Sequence, residues 1–145
     1  MKSVRYQANV WFLIERDEDV GEWVATCPDF YVVTQGRSLK HAFEMIQEAV
    51  FETVRDDLAD DRDPMDRRAP KKIWDDLWSR LRHAEKRPPN EPFPKNDDEI
   101  DAVLLQATLT IPLDAKKRVK GSRSRHSSTD SFQLPLALAV YEHQA

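Results

Sequence analysis

Near the start of the chain Tyr6, Ala8, Val10, Phe12 and Ile14 recur with a period of two, and this alternation restricts the possible folds more than any other feature. A two-residue apolar period marks an extended strand with one buried face. The intervening positions begin polar, at Gln7 and Asn9, but turn apolar at Trp11 and Leu13. A strand apolar on both sides needs cover on both, so the far side of its sheet is expected to lie under a later part of the chain or under a second copy of it.

The elements that follow can be read in order. Residues 16–21 are charged and end in Gly21, and residues 22–27 resume the alternation, which predicts an antiparallel hairpin. Pro28 ends the second strand, Tyr31 and the β-branched Val32, Val33 and Thr34 predict a short third, and Gln35-Gly36 closes it where glycine permits a positive φ. Ser38 then reads as the N-cap of a helix, with Leu39, Ala42, Phe43, Ile46, Val50, Val54 and Leu58 at amphipathic spacing. The order is β-β-β-α over residues 1–60.

Residues 61–100 read as a loop, a short amphipathic helix and a proline-rich linker. Asp56, Asp57, Asp60, Asp61, Asp63 and Asp66 alternate with Arg55, Arg62, Arg67 and Arg68, a mixture without apolar period that predicts a solvated helix end and loop. Pro70 is placed in the first turn of the next helix, Ile73, Trp74, Leu77, Trp78 and Leu81 form its stripe, and Pro88-Pro89 stops it. In residues 101–145, the apolar odd positions Val103, Leu105, Ala107, Leu109, Ile111 and Leu113 predict a further strand. A Lys-, Arg- and Ser-rich loop follows, and residues 132–141 are apolar with strand and helix both open. Pro135 would cost about 3 kcal/mol inside a helix.

Composition removes several classes of function. Acids exceed bases by only four across 145 residues, so no global field draws the chain to nucleic acid or anionic lipid. Three glycines leave little material for a phosphate-cradling loop, and no nucleotide or other cofactor is expected. Cys27 is the single cysteine and closes no intrachain disulfide; it is expected buried, in a cytoplasmic protein. The first residues lack a signal peptide's apolar core, and no apolar run reaches the roughly 18 residues of a membrane span. His41, His83, His126 and His143 show no zinc spacing, so no metal is expected.

The first sixty residues resemble the HicB antitoxins and their relatives, small proteins with a truncated RNase H-like β-β-β-α-β fold. The resemblance rests on Tyr6-Gln7-Ala8, the acidic hairpin before Gly21, the string from Gly21 through Pro28-Asp29, then Thr34-Gln35-Gly36, Ser38, Ala42 and Glu48-Ala49. Two departures stand out: Phe30-Tyr31 replaces a Pro-Gly pair common in that family, and His41 stands where an acid is usual. The resemblance implies an α+β fold, a homodimer, and a fourth strand for which residues 103–113 are the candidate.

It also implies a non-catalytic antitoxin that neutralises a small protein such as a HicA-type mRNA interferase by direct binding. RNase H chemistry would require carboxylates converging on two metal ions. Here Asp17, Glu18 and Asp19 fall in a turn, and no catalytic residue is assigned. Trp11, Leu13, Trp74 and Trp78 are candidates for partner contact, although a two-tryptophan stripe is also ordinary core. The alternatives are an orphan scaffold module and a DNA-binding autorepressor. In the latter, Lys116, Lys117, Arg118, Lys120, Arg123 and Arg125 would contact operator phosphates. A ribbon-helix-helix tail would put its ribbon at residues 108–112, its first helix at 114–122 and its second from Ser128 toward Tyr141. Pro135 and the sparse apolar surface of the first helix oppose that tail.

Overall fold

The opening alternation forms β1, Arg5–Asp17, in the computed structural model, which describes residues 5–112 and 131–141. The chain turns at Gly21, φ 70°, into β2, Glu22–Cys27, and returns as β3, Val32–Gly36. On its other side β1 pairs with β5, Ile100–Pro112, in a ladder running from Arg5↔Pro112 to Glu15↔Ala102. Next comes β6, Phe132–Tyr141, and then the three-residue β4, Glu85–Arg87. The sheet order is β3-β2-β1-β5-β6-β4 with every pairing antiparallel, and all three sequence segments contribute to it. The strand read from the alternation at residues 103–113 is therefore β5.

One face of the sheet lies under α1, Leu39–Ala59. Val10, Phe12, Ile14, Trp23, Ala25 and Cys27 meet Leu39, Ala42, Phe43, Ile46 and Val50 there, joined by alternate residues of β5. Phe12 touches Phe43 and Phe132 edge-on at ring separations of 5.7 and 5.5 Å. The other face carries α2, Lys71–Leu81, whose Leu77 packs against Leu13, Ala102, Leu104, Leu138 and Val140. The apolar far side of β1 is thus covered by the chain itself.

Local chemistry explains the joints. The Ser38 hydroxyl accepts the His41 amide at 3.1 Å, and the His41 Nδ1 accepts the Arg37 amide at 3.1 Å. His41 thereby reaches back to the helix start as the acid of a capping box does. Asp97 adds a second cap, accepting the Leu39 amide at 3.0 Å. Arg16 holds the same stretch through Asp98 and the Asp97 and Ile100 carbonyls. Residues 87–98, read from sequence as a linker, are in this way docked on the core, and Phe93 packs edge-on against Phe43.

Several expectations need correction. Gly36 has no positive φ; that conformation falls on Tyr31, φ 52°, just before β3. Gly36 is required instead by close approach, because a Cβ there would collide with the Ala42 backbone. Pro70 is the N-cap of α2, not a first-turn residue, and the helix ends at Leu81, so Pro88-Pro89 terminate β4. The ribbon-helix-helix reading of the tail fails on its second helix, since Phe132–Tyr141 is a strand; its first helix, residues 114–122, lies outside the described residues. Pro135 sits between the pairs Gln106↔Leu136 and Thr108↔Gln133, a bulge where a missing N–H is tolerated.

Gly36→Ala is expected to destabilise the fold by about 1–3 kcal/mol through overpacking against Ala42. Urea denaturation should show a lower midpoint at unchanged slope.

Candidate partner-binding surface

α2 brings Trp78 against Trp11 of β1, at the point where the β1–β2 ladder gives way to a side-chain contact. Pro28 stops β2, and the Trp11 amide on β1 is left without a strand partner on that side. The buried Asp29 carboxylate replaces it, accepting the Trp11 N–H at 2.7 Å. Burial raises the Asp29 pKa, opposed by this hydrogen bond and by the nearby charge of Arg68. Arg68 stacks 4.1 Å from the ring centroid of Trp74.

On this base the indoles form a chain. Trp11 meets Trp78 edge-on at 5.8 Å and 84°, and Trp78 meets Trp74 at 5.7 Å and 30°. Trp74 is buried and its indole N–H meets no acceptor among the described residues, while Trp78 is 38% exposed and Trp11 partly so. Of the four residues proposed for partner contact, Leu13 and Trp74 are therefore core, and Trp11 and Trp78 reach the surface. The family-type residues have structural positions: Pro28 and Asp29 end β2, Gly36, Ser38 and Ala42 make the strand-to-helix joint, Glu48 is exposed and Ala49 half-buried. Lys116, Lys117, Arg118, Lys120, Arg123 and Arg125 lie outside the described residues.

The acids read as one solvated group divide in two. Asp57 is buried on α1 and accepts both Nε and Nη2 of Arg67, at 2.6 and 2.9 Å. This paired hydrogen bonding lowers the Asp57 pKa against the effect of burial. It also ties the turn Pro64–Arg67 to the helix. The sequence held one signal for it: Asp57 lies seven residues after Val50, on the buried line of α1.

Elsewhere the acids of the first hairpin border an open depression together with Arg16, Arg80, Val24 and Asp101. Arg80 pairs with Glu15 at 3.1 Å, while burial and Asp76 raise the Glu15 pKa. Among the described residues no three His, Cys, Asp or Glu side chains are grouped to hold a metal ion. Cys27 is buried, and burial pushes its thiol pKa well above the usual value. No helix among the described residues is long and apolar enough to cross a membrane.

Set against known proteins, the chain matches no family model, no curated sequence and no solved structure.

Two buried acids make opposite pH predictions. Asp57, with a lowered pKa, contributes stability that is full above the ordinary Asp range and lost as pH falls through its folded-state value. Asp57→Asn should cost about 2–3 kcal/mol at neutral pH and flatten the acid limb of thermal melts, with the half-exposed Arg67 keeping the loss moderate. Asp29, with a raised pKa, binds its proton more tightly when folded, so its contribution declines as pH rises from the ordinary Asp range through the raised value. Asp29→Asn keeps an acceptor for Trp11 and should be neutral or stabilising at pH 7. Asp29→Ala, which orphans the amide, should lose about 1–3 kcal/mol.

Proposed function

We propose that the chain is a non-catalytic, antitoxin-like binding module that neutralises a small toxin protein, of the HicA-type mRNA interferase class, by direct contact. The observation that carries this reading is the arrangement of the first sixty residues: a β-β-β meander capped by one helix, extended by β5 as a fourth long strand. The β-β-β-α order is the one the HicB resemblance implies; β5 departs from a direct crossover, since it follows α2 and β4 and pairs antiparallel with β1. Its characteristic residues have physical work here, with Pro28-Asp29 replacing a strand partner, Gly36 admitting the helix and Ser38 capping it.

The contact surface in this reading is the outer end of α2. Trp78 offers a large aromatic surface backed by Trp11 and Trp74, which suits an interface anchor because it is already held in place before binding. Covering a toxin requires no reaction by the module, only a complementary surface that occupies or hides the toxin's own site.

Co-expression with the adjacent small reading frame tests the proposal. The neighbour is expected to arrest growth alone, to be harmless with this chain and to co-purify with it. Trp78→Ala should weaken the complex at least tenfold while the thermal melt of the free chain stays within a few degrees. A harmless neighbour that does not co-purify would remove the reading.

A further inference from the structure

α2 is a helix that its own sequence supports poorly. It has 11 residues, fewer than the roughly 12–15 that even a favourable isolated helix needs in water. Pro70 at its N-cap gives no side-chain hydrogen bond, and Lys71 and Lys72 put positive charge at the positive end of the helix dipole. α1, by contrast, runs for 21 residues from a start capped by both Ser38 and Asp97. What keeps α2 helical is therefore its seat on the sheet.

That seat is narrow. Only Trp74 and Leu77 of the α2 side chains are buried, and one of them carries a cost. The Trp74 indole N–H meets no acceptor among the described residues, whereas water would supply one if the helix opened. The Arg80–Glu15 pair and the edge-on contact of Trp78 with Trp11 add to the attachment. The chain on either side is fixed by backbone hydrogen bonds: the Ala69 amide donates to the Pro28 carbonyl at 2.8 Å, and Glu85–Arg87 pairs with β6. α2 thus spans two anchors.

We propose that α2 is a releasable strap, which melts as a unit between these anchors while α1 and the β1–β5 ladder stay folded. Release exposes Leu13, Ala102, Leu104, Leu138 and Val140, so the closed form predominates. It also takes Trp78 away from Trp11, so the aromatic surface exists only while α2 is docked. This last consequence rests on the toxin reading and deepens it: a partner that covers Trp78 binds the closed form alone and holds the strap shut. The release itself is a property of the free chain and stands without a partner.

Hydrogen exchange of the free, full chain, followed residue by residue by NMR, tests the strap. The α2 amides from Asp75 to Leu81 should exchange together, and their protection should be at least a hundredfold below that of the central β1 and β5 amides. Their exchange should also depend less steeply on urea, because opening the strap exposes less surface than unfolding the chain. Ile46→Val trims the core under α1 and weakens the closed and open forms alike. It should quicken β1 and β5 exchange about threefold to tenfold and leave the α2 amides unchanged. Amides of α2 that share the protection of the strands, or that quicken with them in Ile46→Val, open only with the whole fold and overturn the proposal.

Discussion

The fold is organised by the long ladder between β1 and β5. These two strands lie at the centre of the sheet, and each is apolar on both faces over part of its length. Their register puts Phe12 beside Leu105 on the α1 side and Leu13 beside Leu104 on the α2 side, so one pairing aligns two cores at once. A shift by one residue would exchange every side chain between the faces. The far face also explains why a single short helix suffices there: toward the start of β1 it becomes polar, with Asn9 hydrogen-bonded to Thr108 at 3.0 Å.

Around this ladder the chain returns twice to fasten what it has already built. The Asp57–Arg67 pair holds the turn after α1 to the helix, and the Ala69 amide donates to the Pro28 carbonyl at 2.8 Å, anchoring the approach to α2 beside Asp29. Asp97 and Arg16 then join the start of β5 to the start of α1 and to β1. A direct strand-helix-strand crossover gives parallel strands. Residues 60–99 instead recross the far face, and β5 enters antiparallel.

Functionally, the consequence is a division of surfaces. The tryptophans of α2 are seated by core contacts and expose mainly Trp78, whereas β3 is an edge of the sheet among the described residues. Indoles held by neighbouring rings form a surface that another chain can cover.

Wherever a pattern stayed local, the chain's order of residues was enough. β1, β2, α1 and β5 were legible from periods of two and of three-to-four, and Ser38 from its place before an apolar run. The C-terminal strand was ambiguous for a physical reason: the bulge at Pro135 flips the alternation, so that Phe132 and Leu134 share a face with Ala137 and Ala139. Tyr31 in place of Gly36 as the positive-φ residue, the pairing of Asp57 with Arg67 and the sorting of the tryptophans into core and surface were decided only by tertiary structure. Each depends on which distant backbone or side chain comes near, and no short window of sequence contains that partner.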